Sequence, residues 1–274
     1  NRENTNERAG DMNLDLKGKS VLVTGGNRGV GLGIALAFAE EGANVAICGR
    51  DKAALAEAEA KIAAKGVKAK AVAVDLFTAE GCKAAVQAAV DAFGGLDVLV
   101  NNASTAISGN IETLDDEGLM ERLTGKTLAY MRCCRAALPH LRKSGRGRVI
   151  CIGGTAGRQA GATALPSALG NSSIIAFVKQ FSLTVAHQGI TANTVHPPFT
   201  KTDRYPKRLA ARAKELGVSE ADAEKSFIKQ FPIGRLVEPK DIAPMVLFLA
   251  SPHASAITGQ SISIDGGSIP GIYY

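Results

Sequence analysis

A chain of 274 residues, 46% of them apolar, can bury a large core, as one sizeable α/β domain or two small ones. Its formal charge of +6 is spread along the sequence rather than gathered in a stripe, which argues against a nucleic-acid partner. No apolar run approaches a membrane span, the start lacks a signal-peptide core, and the five cysteines are odd in number without CxxC spacing. The expectation is a soluble, cytoplasmic protein with no membrane partner, no metal and no disulfide framework.

Residues 1–14 are polar and charged with little periodicity, and read as a flexible arm ahead of a domain spanning 15–274. Val21-Leu22-Val23-Thr24 is a short, β-branched apolar run, the pattern of a fully buried parallel strand. It breaks at Gly25-Gly26 and resumes as the helical pattern Ile34, Ala35, Phe38, Ala39. A second strand, Asn44–Cys48, ends at Gly49-Arg50, and Asp51 caps an alanine-rich helix running to Ala64. Ala71–Val74 is a third strand, followed by a helix to Phe93. Leu96–Val100 is a fourth, ending in Asn101-Asn102-Ala103. A long helix covers Leu119–Leu141, a fifth strand Arg148–Ile152, another helix Pro166–His187 and a sixth strand Thr191–His196. The charged stretch 202–231 is helical in pieces and reads as a substrate lid carrying Arg204, Lys207, Arg208 and Arg212. A helix at Lys240–Leu249 and a strand at Ser261–Ile264 close the chain. This alternation predicts a single α/β domain built on a doubly wound parallel sheet of the Rossmann type.

The glycine turn carries the first chemistry. A strand that turns through glycines straight into a helix aims backbone N–H groups and the positive end of the helix dipole at whatever lies above, and that suits a phosphate. At the tip of the second strand a cofactor with free ribose hydroxyls would call for a carboxylate. Here stand Gly49-Arg50, with Arg28 in the glycine turn itself. Two guanidiniums suit a 2′-phosphate, because Arg grips phosphate through a planar fork.

Thr24-Gly25-xxx-Gly29-x-Gly31, Asp75, Asn101-Asn102-Ala103, Thr258-Gly259-Gln260 and Asp265-Gly266-Gly267 together resemble the short-chain dehydrogenase/reductase family. The similarity runs from Leu16 to Gly267. It implies seven parallel strands and a nicotinamide cofactor, NADP(H), since Arg28 and Arg50 match positions that are basic in NADP-preferring members. The implied cofactor contacts are Thr24, Gly25, Asn27, Arg28, Gly29, Val30, Gly31, Arg50, Asp75, Leu76, Asn102, Ala103, Pro197 and Thr202. A small-molecule substrate and a homotetramer or homodimer joined through the two long helices complete the expectation.

The catalytic positions depart from that family. Its members carry Tyr and Lys four apart on the fifth helix, a Ser thirteen residues before the Tyr, and an Asn on the fourth helix. Here the matching positions hold Ser167, Asn171, Gly154 and Lys126, and the usual Pro-Gly after the sixth strand reads Pro197-Pro198. No Tyr-xxx-Lys occurs anywhere, because the only tyrosines are Tyr130, Tyr205, Tyr273 and Tyr274. A positioned general acid contributes about 10²–10⁴-fold, and a serine hydroxyl is too weak an acid to replace a tuned phenol. The candidate replacements are Lys126, Ser167, Asn171, Thr155, His196 and Tyr205. Lys126 stands out because an ammonium is present there while one is missing at Asn171. Three readings stay open: an NADPH-dependent reductase of a carbonyl, imine or enone using a non-standard proton donor; a non-catalytic NADPH-binding sensor or scaffold; and a non-redox lyase or isomerase.

Overall fold

The apolar runs assemble into one parallel seven-stranded sheet in the order β3-β2-β1-β4-β5-β6-β7. The strands are β1 (Ser20–Thr24), β2 (Asn44–Gly49), β3 (Ala69–Ala73), β4 (Val98–Asn101), β5 (Arg148–Ile152), β6 (Thr191–His196) and β7 (Ser261–Ser263). This is a computed structural model, and it describes residues 12–271 apart from 106 and 160. The expected Rossmann-type sheet is therefore present. β1 and β4 to β6 are buried along their whole length, because helices cover both faces.

Helices α1 (Gly29–Glu40), α2 (Lys52–Ala63) and α9 (Pro239–Ala250) pack one face, where Ile34, Phe38, Ile242 and Val246 meet Val21, Val23 and Ile47. On the other face α3 (Ala79–Phe93), α5 (Ala129–Ser144) and α6 (Leu165–Val185) bring Val86, Ala137, Ile174 and Val178 against Leu22, Leu99 and Val149. All five cysteines are buried and free, and all lie in this second core as packing residues. Among the described residues no helix is long and apolar enough to cross a membrane, and no cluster of ligating side chains could hold a metal.

Several boundaries shift from the expected ones. β3 begins at Ala69, because it is an edge strand whose half-exposed residues lack a continuous apolar run. The helix expected over 119–141 starts at Asp116, where Asp115 accepts from Gly118 N at 2.8 Å, and it is not uniform. α4 (Asp116–Leu123) passes through a π turn at Thr124–Leu128 into α5. The charged stretch 202–231 resolves into α7 (Tyr205–Leu216) and α8 (Glu220–Ile228). Asp51 caps α2 as read, accepting from Ala54 N at 3.1 Å. Residues 1–11 of the expected arm lie outside the described residues, but 12–14 already join the body. Leu14 packs on the core, and the Asn13 carbonyl lies 2.9 Å from His253 Nε2.

Candidate active site

The strand order reverses between β2 and β4 on either side of β1, and there the carboxyl ends of the strands open a crevice. A cleft of about 910 Å³ occupies it. Its floor is fixed by Thr24. That hydroxyl donates to Val100 O (3.4 Å) and accepts from Asn102 N (2.8 Å) and Ala103 N (3.1 Å), while Asn102 Nδ2 donates to Thr24 O and Gly25 O at 3.0 and 3.1 Å. The tips of β1 and β4 are thus one hydrogen-bonded unit. Thr24 itself is buried beneath the floor and holds the wall rather than lining it.

Every other cofactor candidate lines the cleft: Gly25, Asn27, Arg28, Gly29, Val30 and Gly31 from the turn; Arg50 from β2; Asp75 and Leu76 after β3; Asn102 and Ala103; then Pro197 and Thr202. α1 starts here with no side-chain cap and no acid in its first turn, so its leading N–H groups face the cleft unscreened. A Cβ on Gly31 would stand 2.3 Å from Gly25 O and 2.4 Å from Asn102 Nδ2, so only glycine keeps the turn this tight. Arg28 and Arg50 are exposed at the rim, with Arg50 stacked 6.0 Å over the Phe77 ring. Arg204 and Arg208 of the α7 region join the same rim. Burial and the nearby Arg28 charge hold the Arg204 guanidinium below its usual pKa.

At the end of β5 the catalytic candidates separate. Lys126 and Ser167 line the cleft, whereas Thr155, Asn171 and His196 lie behind its wall. The π turn carries Lys126, 2% exposed, to the tip of β5. There Nζ donates to Ile152 O at 3.0 Å and Gly153 O at 3.3 Å. Burial, with the Arg122 charge second, pushes its pKa down to about 7. Ser167 stands in the first turn of α6, and no hydrogen-bond partner among the described residues engages its hydroxyl.

His196 sits behind the cleft wall with both ring nitrogens engaged. It is wholly buried, Nδ1 lies 3.2 and 3.1 Å from Gly154 N and O, and Nε2 lies 2.7 Å from Ser261 Oγ. Burial depresses its pKa to about 4, leaving a neutral ring that ties β5, β6 and β7 together. Tyr205 likewise has its hydroxyl engaged. Its hydroxyl donates to Glu224 Oε1 at 3.0 Å, and burial raises its pKa to about 12. Thr155 opens a short 3₁₀ turn, its N–H given to Pro197 O at 3.1 Å.

Asn171 has a packing explanation. A Cβ on Gly154 would meet Asn171 Nδ2 at 2.7 Å, and one on Gly157 would meet Asn171 Cβ at 2.6 Å. The Asn171 side chain fills the space that a larger residue at either glycine would need.

Sequence reasoning missed Arg122. It lies one turn before Lys126, 5% exposed, and NH1 donates to Ser104 Oγ at 2.7 Å and to the Thr105 carbonyl. The i, i+4 spacing of two cations was the available signal, although Arg122 is the only buried residue of α4.

Comparison with known proteins agrees with this architecture. The family model described as enoyl-(acyl carrier protein) reductase matches residues 25–268. The chain is 33% identical over 254 residues to the 3-oxoacyl-(acyl-carrier-protein) reductase FabG of Vibrio cholerae serotype O1, covering 93% of this chain and 98% of that one. Among solved structures, L-sorbose reductase from Gluconobacter frateurii, complexed with NADPH and L-sorbose, superposes with a TM-score of 0.91 at 29% identity, covering 95% and 100% of the two chains. A variant of actinorhodin polyketide ketoreductase with NADPH gives 0.86 at 30% identity, covering 91% and 97%. The sheet order, the glycine turn over the β1–β4 crevice and these near-full-length similarities place the chain in the short-chain dehydrogenase/reductase family.

Proposed function

We propose that the protein is an NADP(H)-dependent oxidoreductase reducing a small carbonyl, imine or enone, with Lys126, at the family's Asn position, as proton donor in place of the phenol whose position Ser167 holds. The cleft fits such a dinucleotide. The unscreened N-terminus of α1 and the close-packed Gly31 suit a pyrophosphate. Arg28 and Arg50 suit a 2′-phosphate, and Asp51, the carboxylate beside them, is engaged as a helix cap. Two of the similar structures hold NADPH.

When bound, the nicotinamide supplies a hydride to the substrate carbon, and the substrate oxygen or nitrogen then needs one proton. The observation that carries the reading is Lys126: an ammonium in the cleft wall, steered by two carbonyls and held near neutral pKa by burial. A donor works best when its pKa lies near the working pH. Nζ gives up its proton and takes another from solvent. Ser167 adds a neutral hydrogen bond to the same oxygen, and Asn171 and His196 keep the wall in place.

Residues 202–231 act as the substrate lid. Thr202, Asp203, Arg204 and Arg208 reach the cleft, while Phe199 and Phe227 stack at 4.7 Å beneath α7 and α8. The assembly is a homodimer or homotetramer through α5 and α6, supported by Leu169 and Leu183, which are 43% and 74% exposed on α6.

The test is the loss of NADPH absorbance across aldehydes, ketones, imines and enones. Turnover is expected to fall as pH rises through about 7, and to fall about 10²-fold or more in Lys126→Met with NADPH affinity retained. Unchanged turnover in that variant removes Lys126 from the mechanism. Arg50→Ala is expected to weaken NADPH and spare NADH; equal affinities in the wild type would remove the 2′-phosphate assignment. A second reading, a cofactor-binding sensor without turnover, draws on the depth at which Lys126 is buried, and it predicts tight NADPH binding with no oxidation by any substrate of the panel.

A further inference from the structure

Arg122 and Lys126 stand one helical turn apart where α4 runs into the π turn, and both line the cleft near the tip of β5. Both are more than nine-tenths buried. Their partners are all neutral: a serine hydroxyl and a carbonyl for Arg122, two carbonyls for Lys126. Among the described residues neither cation belongs to an ion pair. Arg122 Nε is buried with no hydrogen-bond partner. The acids that do line the cleft are occupied or lie elsewhere. Asp51 caps α2, Asp75 Oδ1 accepts from Phe77 N at 3.1 Å, and Asp203 stands over Gly29.

Burying a charge without a counter-charge is costly, and proteins ordinarily pair such groups. A lysine has an exit, because it can lose its proton. A guanidinium has none, since it does not deprotonate in proteins. This wall therefore keeps a positive charge in a low-dielectric place with donor capacity unused. The phosphate-binding end of the cleft has its own cations in Arg28 and Arg50, so it does not need this pair.

We propose that the missing counter-charge arrives with the substrate: the cleft takes a short 2- or 3-oxo acid, its carboxylate held by Arg122 and its carbonyl oxygen facing Lys126. With the two cations one helical turn apart, the two oxygen groups are placed as near neighbours on the substrate, which favours 2- and 3-oxo acids over acids whose oxo group lies farther from the carboxylate. Ser104 and Ser167, both on the cleft wall, add neutral hydrogen bonds. Reduction consumes one hydride and one proton and yields the hydroxy acid, the carboxylate passing through unchanged. This inference rests on the reductase reading for its chemistry but not for its binding site, and the two can fail separately.

The experiment compares 2-oxobutanoate and 3-oxobutanoate with their methyl esters and amides in the wild-type protein, following NADPH oxidation. In parallel, calorimetry titrates 2-hydroxybutanoate and 2-hydroxybutanamide into the protein saturated with NADP⁺, in the wild type, Arg122→Gln and Arg122→Lys. The expected result is kcat/KM at least about thirtyfold higher for the acids, hydroxy acid binding that the amide lacks, and loss of that binding in Arg122→Gln with partial rescue by Arg122→Lys. Esters turned over as well as acids overturn the oxo-acid assignment and leave the reductase intact. Binding of the hydroxy acid without turnover of any substrate supports the anion site and overturns the reductase. Equal binding of acid and amide overturns the anion site outright, whether or not the Arg122 variants fold.

Discussion

A lysine ammonium is seldom found where Lys126 lies, and the consequence is measurable in stability as well as rate. Its ordinary pKa is near 10.5 and its folded value about 7. The unfolded chain therefore binds more protons than the folded one between these values, so stability rises with pH across that window. The burden is full below about 7 and is gone by about 10.5. It amounts to a few kcal/mol, on the order of 1.4 kcal/mol per pKa unit. Lys126→Met is expected to be more stable than wild type near neutral pH, with the difference shrinking by a few kcal/mol as pH rises from 7 to 10 in urea titrations. A difference that stays constant with pH would mean that Lys126 is not held in the deprotonation-prone state described here. The sequence made Lys126 legible by its offset from a family position. Arg122, equally buried, had no such landmark, and only the folded helix shows that both face one cleft.

At the level of elements, Gly154 at the end of β5 and Asn171 on α6 behave as one interlocked pair. Introducing a side chain at 154 means moving Asn171 Nδ2, which would lie 2.7 Å from the new Cβ. Overpacking of this sort costs about 1–3 kcal/mol. Gly154→Ser is expected to lose stability in that range, and Asn171→Ala to recover most of the loss when combined with it, giving a coupling energy above about 0.5 kcal/mol in a double-mutant cycle. Additive effects would show that the two residues do not share the space. The elements themselves were largely readable: the βα turn with its glycines, the Asp51 cap and the alternation of buried strands all follow local rules. The π turn was not. Nothing in Thr124–Leu128 announces an extra residue per turn; tertiary packing imposes it, with Gly125 giving close approach to Phe77, whose ring a Cβ there would meet at 2.6 Å. The surroundings of His196 were illegible for a related reason. Its position at a strand tip beside the cleft is visible in sequence, while the fact that Ser261 and Gly154 enclose it is a long-range contact.

For the whole molecule, the sheet sends the cleft-forming loops to one edge and leaves the outer face of α6 for the proposed assembly. Leu183 is 74% exposed and Leu169 43% exposed on α6, an expense in water that a matching helix from a second copy would remove. Leu183→Glu is expected to lower the molar mass measured by light scattering to that of a smaller assembly, while NADPH affinity changes less than about threefold, a shift below the 1.4 kcal/mol that marks a tenfold change. A wild-type molar mass equal to one chain would dispose of the oligomer. The sequence showed the sheet class because strand and helix periods alternate over the entire chain. It could not show which outer surface meets a partner, because an exposed leucine and a core leucine look alike until the fold is known.

The lock between Gly154 and Asn171 also constrains redesign of the protein. A side chain cannot be added at 154 in one step without a loss of packing, and one at 157 would meet Asn171 Cβ at 2.6 Å. Opening this wall to a new side chain therefore takes two coordinated changes, one at each member of the pair.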